Sequence, residues 1–254
     1  MSMIHIRCGA LATTQWLDAP HWPWNNEPLV FRASVAEFTP QIPRFDDVLS
    51  PDERQRANRF HQPEDRQRYV LGKVLSRFLL GRLLNQSPAS VQFRIDGNGK
   101  PHVSGTNQVQ FNLSHAGNWV LISLAPVAVG VDVEQIRPSF RYEAVLAHSF
   151  SDKEQRYVHE SADPRLLFFQ LWTRKEALAK AVGTGLIHDL VNQPTLDGEH
   201  IIEGQTGELL RSWTVLSFHL EANYEATLAW AGLSDQTRVT FYHLRPELLQ
   251  AIAH

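Results

Sequence analysis

The stretch from Val127 to Arg137, Val-Ala-Val-Gly-Val-Asp-Val-Glu-Gln-Ile-Arg, permits few backbones. Valines at 127, 129, 131 and 133 alternate with Ala128, Gly130, Asp132 and Glu134, and only an extended strand sorts that alternation onto two faces. The valines take one face and the two carboxylates the other. Residues i and i+2 on a strand are roughly 6.5 to 7 Å apart. At that spacing bare carboxylates raise each other's pKa and are suited to sharing one hard cation. Gly130 just before them leaves room for a close approach to the backbone. The same alternation also describes any half-exposed antiparallel strand, so a catalytic reading needs a second signal.

That signal lies further along the chain. Asp163-Pro164 caps and opens a predicted helix, Arg165 to Val182, which stops at Gly183. Leu167, Phe168, Leu171, Leu178 and Val182 form its core stripe. Trp172, Glu176 and Lys180 follow one another at i, i+4 and i+8 along the flank, which puts Glu176 at the margin of the buried face. Glu176 and Lys180 are either a surface pair worth on the order of a few tenths of a kcal/mol or part of a site. Lys175 falls inside the apolar stripe and must snorkel or find a partner.

With 254 residues, 43% of them hydrophobic, the chain can bury one large core or two compact halves. A formal net charge of -3 and the absence of any recognised motif argue against nucleic-acid binding. The charge is unevenly placed. Between Ser50 and Arg82 stand eight basic residues (Arg54, Arg56, Arg59, Arg66, Arg68, Lys73, Arg77, Arg82) against four acids (Asp52, Glu53, Glu64, Asp65), so the segment suits an anionic ligand or forms a solvated helix face. Cys8 is the only cysteine; no intrachain disulfide can form, and a reducing compartment fits. No basic start followed by an apolar run opens the sequence, and no stretch approaches a membrane span, so a cytoplasmic protein is expected.

Residues 1 to 45, with Trp16, Trp22 and Trp24 among prolines and asparagines, are expected to be strands or loops packed on the first half. Ser50-Pro51-Asp52-Glu53 is a capping box, with Glu53 reaching back to the Ser50 amide, and opens a short helix carrying Arg54, Arg56 and Arg59. A longer helix starts near Pro63; Leu71, Val74, Leu75, Phe78 and Leu79 form its core face, and Arg66, Arg68 and Lys73 lie elsewhere on the cylinder. Asp96-Gly97-Asn98-Gly99-Lys100-Pro101 reads as a loop between a strand over Val91 to Ile95 and another starting at His102. Lys100 on that turn meets either a phosphate or water. Trp119 to Leu124 is a strongly apolar strand, expected to form a hairpin with the acidic strand through Ala125-Pro126. That hairpin would leave Ser114 and His115 at the start of a helix or turn before it. No nucleophile elbow surrounds the pair, and a structural hydrogen bond and a phosphate contact both stay open. Ser151-Asp152-Lys153-Glu154 is a second capping box. From His188 to His254 short alternating runs, among them Ser212 to Leu220 and Ala226 to Ala231, predict antiparallel strands closing the second half.

Taken together, Gly130-Val131-Asp132-Val133-Glu134 and Trp172-Thr173-Arg174-Lys175-Glu176-Ala177-Leu178-Ala179-Lys180 resemble the G-x-D-x-E and W-x-x-K-E-x-x-x-K signatures of the 4'-phosphopantetheinyl transferases of the larger, surfactin-synthetase-activating type. Gly99-Lys100-Pro101, Phe111-Asn112-Leu113-Ser114-His115, and Phe150-Ser151 with Glu154 are similar to three further elements of that family, in the same order. The resemblance implies an α+β fold of two similar halves related by a pseudo-twofold axis. Each half would be a long helix packed on a small antiparallel sheet, with the active site in the cleft between them. Residues 1–125 would form the N-terminal half and contribute to coenzyme A binding; residues 126–254 would form the C-terminal half and carry the metal and catalytic residues. The protein is then expected to be a monomer.

The activity implied is Mg²⁺-dependent transfer of 4'-phosphopantetheine from coenzyme A to a serine of an apo acyl or peptidyl carrier protein, with 3',5'-ADP leaving. By the same resemblance, Asp132, Glu134 and Glu176 would hold Mg²⁺, and Glu176 would be the base for the carrier serine. Lys180 would pair with the pyrophosphate, which Asp132 also approaches. Lys100 and Pro101 would lie near the adenine and phosphates, Ser114 and His115 at the 3'-phosphate region, and Arg56 and Arg68 on the 3'-phosphate itself. The partners would be coenzyme A and a carrier protein, with neither nucleic acid nor membrane. One departure stands out: the family often has a basic residue where this chain has Glu53, which leaves Arg54 as the neighbouring substitute. The alternative reading, a non-catalytic coenzyme A or carrier-protein binding module, would not need the intact acidic trio.

Overall fold

The structure is a computed structural model that describes residues 2–18, 24–183, 190–204, 212–233 and 237–250; Trp22 and His188 lie outside them. The chain runs through strands β1 (Ser2–Ala10), β2 (Trp16–Asp18) and β3 (Leu29–Ser34), then helices α1 (Val35–Phe38), α2 (Pro51–Ala57) and α3 (Pro63–Leu84). Strands β4 (Phe93–Ile95), β5 (Pro101–Val103), β6 (Gln110–Ala116), β7 (Trp119–Ala125) and β8 (Val129–Gln135) follow, then helices α4 (Glu143–Ser149), α5 (Asp152–His159) and α6 (Pro164–Val182). Strands β9 (Gly198–Gly204), β10 (Ser212–Glu221), β11 (Tyr224–Ala231) and β12 (Thr240–His243) and the short helix α7 (Glu247–Gln250) complete it. These elements sort into two compact units, each discontinuous in sequence: Gln15–Ile95 with Pro101–Pro126 and Arg238–His254, and Met1–Thr14 with Asp96–Lys100 and Val127–Thr237.

In the first unit α3 packs on a five-stranded sheet of order β2-β12-β3-β7-β6. The helix starts at Pro63, whose missing N–H costs nothing in a first turn, and ends on Asn85 in the left-handed conformation (φ 53°). Val70, Leu71, Val74, Leu75 and Leu79 are almost fully buried, each worth roughly 1.5 to 3 kcal/mol. Gly72 is what lets the helix settle so close: a Cβ there would lie 3.0 Å from the Leu113 side chain. β7 is buried at every position, which suits a strand with neighbours on both sides and apolar residues on both faces.

In the second unit α6 packs on a sheet of order β8-β11-β10-β1-β9. Asp163 caps the helix by accepting from the Leu166 amide at 2.9 Å, and Gly183 closes it at φ 81°. α6 is buried nearly all round; along its predicted flank Trp172, Glu176 and Lys180 stay half-exposed. Two basic residues go fully under and find acceptors. Arg174 donates to Ser217 Oγ at 2.8 Å, Thr195 O at 2.5 Å and Gly9 O at 3.0 Å. Lys175 donates to the carbonyls of Leu190 and Gln193, both at 2.6 Å, faces Glu154 Oε2 at 3.4 Å and lies over the Phe150 ring. The Ser151–Glu154 capping box forms as expected, so Glu154 both starts α5 and neutralises Lys175.

Several expectations change. Both five-stranded sheets are mixed: β1 runs parallel to β10, and β12 parallel to both β2 and β3. β1 belongs to the sheet of the second unit, although residues 1–45 were expected to pack on the first half. β7 and β8 form no hairpin, since β7 pairs with β3 and β6 while β8 pairs with β11. The short link through Pro126 marks the end of one strand and the start of another, which does not by itself make the two pair. β7 turns back on β6 instead, through Gly117-Asn118, so Ser114 and His115 lie within a strand rather than at a helix start.

Candidate active site

Gly130 decides how α6 sits on β8. A Cβ at this position would lie 2.1 Å from Ala177 O and 2.4 Å from Ala181 N, so the space beside Gly130 is filled by the backbone of α6. The close approach expected from the sequence is that of a helix. With the helix so near, Lys180, next in sequence to Ala181, reaches the acid-bearing face of β8. Lys180 Nζ donates to Asp132 Oδ1 at 2.6 Å, across the helix–strand contact rather than back to Glu176. Val129, Val131 and Val133 are buried on the other face.

The three carboxylates share one electrostatic environment. Burial first and the Asp132 charge second push the Glu176 carboxyl up to about 7, with Lys180 opposing. Glu134 is likewise pushed up to about 7 by burial and by Asp132, and more weakly by Glu176, against Lys180 and Arg137. Glu176 Oε1 is buried without a hydrogen-bond partner among the described residues. Among those residues no three His, Cys, Asp or Glu side chains stand close enough to hold a metal ion by themselves.

Strand pairing adds a residue that the sequence reading missed. β11 sets Thr227 opposite Asp132 and Glu225 opposite Glu134. Glu225 is 8% exposed and pushed by burial up to about 7, with the Arg174 charge opposing. The only sequence signal was an acid in an otherwise apolar run, and which residue it would face depends on register.

Lys100 lies on a tight turn whose amides are fixed by Asp96: Oδ1 accepts from the Asn98 and Lys100 amides at 3.0 and 2.9 Å. Its ammonium donates to Lys180 O at 2.6 Å, Ala181 O at 2.9 Å and Val129 O at 3.2 Å. It thus serves the carbonyls at the end of α6, where a cation also complements the helix dipole. Burial lowers its pKa to about 8.

In the first unit, Glu53 has the structural role its capping box predicts. Its Oε2 accepts from the Ser50 amide at 2.9 Å and from Arg77 Nε at 2.8 Å, and the side chain is 8% exposed. Arg54 donates to Asp46 O at 2.8 Å. Arg56 is exposed and lines an open pocket of about 550 Å³ with Asp52, Gln55, Arg59 and Phe60. Arg68 donates to Gly117 O at 2.9 Å and pairs with Asp65. Ser114 is buried and His115, its neighbour on β6, is exposed.

This pairing of fold and motifs has a defined class. Residues 128–231 match the 4'-phosphopantetheinyl transferase superfamily, and residues 37–126 match the 4'-phosphopantetheinyl transferase N-terminal family. The chain belongs to this superfamily of enzymes. It is 30% identical to the 4'-phosphopantetheinyl transferase HetI of Nostoc over 225 residues, covering 86% of this chain and 93% of HetI. It is 29% identical to the 4'-phosphopantetheinyl transferase Sfp of Bacillus subtilis over 143 residues, 56% of this chain and 64% of Sfp. The match to Sfp thus spans just under two thirds of that relative.

Proposed function

We propose that this protein moves the 4'-phosphopantetheine group of coenzyme A onto a serine of an apo acyl or peptidyl carrier protein, in a Mg²⁺-dependent reaction that releases 3',5'-ADP. The observation that carries the reading is the Gly130 contact, which brings Asp132 and Glu134 of β8 and Glu176 and Lys180 of α6 to one charged cluster at a half-open helix edge. Membership of the superfamily and the names of its relatives supply the substrate class.

A Mg²⁺ ion fits the donor set. All the acids here are oxygen ligands, and the buried Oε1 of Glu176 lacks a partner among the described residues. Magnesium is commonly held by one or two carboxylates, with phosphate oxygens and water completing the octahedron, so a full protein cage is not needed. Asp132, Glu134 and Glu176 would close on it from their present wider spacing, and when bound it would neutralise pyrophosphate charge.

The remaining work falls to the side chains. Glu176 takes the proton of the carrier serine as its oxygen attacks the β-phosphorus of coenzyme A; the new P–O bond forms while the bond to the leaving 3',5'-ADP breaks. Lys180 turns from Asp132 to a pyrophosphate oxygen and offsets the charge developing there. The Gly99-Lys100-Pro101 turn lies along the adenine and phosphates, with the Lys100 ammonium kept on the end of α6. Arg56, Arg68, Ser114 and His115 of the other unit serve the 3'-phosphate region. Arg68 has donors left for this after Gly117 and Asp65, because a guanidinium carries five. By this reading the N-terminal half contributes to coenzyme A binding and the C-terminal half carries the metal and catalytic residues.

The test is intact-mass spectrometry of apo carrier proteins incubated with the protein, coenzyme A and Mg²⁺, beside a chelator control. Metal-dependent gain of one phosphopantetheine on at least one carrier is expected. No gain on any carrier, with coenzyme A binding established separately, would overturn the reading.

A further inference from the structure

The last carbonyls of an α-helix have no partner within it. At the end of α6, those of Lys180 and Ala181 find theirs on another element of the same unit, the Asp96–Lys100 turn. The Lys100 ammonium donates to Lys180 O at 2.6 Å and Ala181 O at 2.9 Å, and from the same point to Val129 O of β8 at 3.2 Å. An ammonium has three N–H groups, so the three carbonyls engage all of them. The turn that presents Lys100 is itself braced. Beyond the two amides held by Asp96 Oδ1, the Gly99 amide donates to Asp96 O at 3.1 Å and the Asp96 amide to Lys100 O at 3.0 Å. The aliphatic stem of Lys100 runs beside Gly183, where a Cβ would lie 3.3 Å from Lys100 Cδ.

The three carbonyls flank the Gly130 contact. Ala181 is one of the two residues whose backbone fills the space beside Gly130, and Val129 immediately precedes Gly130. A helix backbone resting on a glycine has no interlocking side chain there to set how far it slides along the strand. A slide of α6 along β8 would carry Lys180 O and Ala181 O away from Val129 O, and one ammonium could no longer reach all three. Lys180 is thus held at both ends, its carbonyl on Lys100 and its own ammonium on Asp132 Oδ1 at 2.6 Å. We infer that Lys100 is a positioning residue: it sets the register of α6 on β8, and with it the place from which Lys180 reaches the pyrophosphate of coenzyme A. Its ammonium is not itself a phosphate contact. The inference rests on the proposed coenzyme A reaction and gives Lys100 a role in it that acts through Lys180.

The experiment is a double-mutant cycle on Lys100→Met and Lys180→Met. It reads kcat and KM on an apo carrier protein, and the coenzyme A Kd by calorimetry. Methionine keeps an apolar stem beside Gly183 and removes the donors. Lys100→Met is expected to lower kcat by about tenfold to a hundredfold, the scale of a displacement of about 1 Å at a reacting centre. Its Kd for coenzyme A should change by less than about twofold, because no phosphate contact is lost. In the Lys180→Met protein the same change should lower kcat by less than about twofold, since the group that Lys100 positions is already gone. Lys100→Gln keeps two N–H donors and should show the same pattern with a smaller loss; its cycle decides the matter if Lys100→Met does not fold.

Three results would overturn the assignment. One is an unchanged kcat in the Lys100 variants. Another is a coenzyme A Kd weakened about tenfold or more with kcat kept, which would make the ammonium a phosphate contact. The third is a loss that persists in full in the Lys180→Met protein, as general loosening of the fold would give. All three leave the proposed reaction standing. A wild-type protein that modifies no carrier overturns the proposed reaction and this role together.

Discussion

Glu176 and Gly130 illustrate how single residues divide the labour. Glu176 sits at the edge of a buried helix face, with one carboxyl oxygen lacking a partner among the described residues, and burial first and Asp132 second raise its proton affinity. Glu176→Gln keeps the shape and removes the base. Its turnover on carrier protein is expected to fall by about 10² or more, with coenzyme A affinity measured by calorimetry largely kept; wild-type turnover would remove Glu176 from the base role. Gly130 does no chemistry, yet a methyl group there would collide with the α6 backbone. Gly130→Ala is expected to cost about 3 kcal/mol or more, read as a lower urea midpoint, and an unchanged midpoint would mean that the helix can ride further out than the structure indicates. The sequence marked both residues. It gave Gly130 a close approach without saying to what, and it left Glu176 and Lys180 open as a surface pair.

At the scale of elements, α6 is held by polar contacts as well as by apolar ones. Lys175 ties the helix to the carbonyls of Leu190 and Gln193 and to Glu154 at the head of α5. Removing one partner of a buried pair strands the other, which costs about 3 to 5 kcal/mol. Lys175→Met is therefore expected to destabilise the protein on that scale in denaturant unfolding. Combining it with Glu154→Gln should cost clearly less than the two single changes summed, since the stranded charge is gone; simple additivity would show that the two residues do not interact. Helix starts and stops were legible from the sequence because caps are local: Ser50 with Glu53, Ser151 with Glu154, Asp163, and Gly183 all occupy their predicted places. Strand partnership was not, because pairing is settled by which strands have faces left to bury, and neighbours in sequence such as β7 and β8 part company.

For the whole molecule, the glutamates make stability depend on pH. Glu134, Glu176 and Glu225 have folded pKa values of about 7, above the ordinary 4.5. Each therefore binds a proton more tightly folded than unfolded. The stability this gives is complete below about 4.5 and is lost as pH rises through about 7. In the presence of chelator, the melting temperature is expected to fall between pH 5 and about 7 and to level off above. Glu225→Gln should fall less steeply over the same window. A melting temperature that climbs through it would show that these carboxylates are not held protonated in the folded protein.

Periodicity and caps fixed the long helices over 63–84 and 164–182, the acidic strand and the Asp96–Pro101 turn, because each depends on residues a few positions apart. The motifs likewise marked Asp132, Glu134, Glu176 and Lys180. Tertiary structure decided what those residues meet. It placed Lys180 on Asp132, Glu225 opposite Glu134, Arg77 on Glu53 and the Lys100 ammonium on the end of α6. It also carried β1 into the sheet of the second unit and β12 into that of the first. Such contacts join residues tens to hundreds of positions apart, and they are set by which buried charges and strand edges must be satisfied together, a condition that no local stretch of sequence contains.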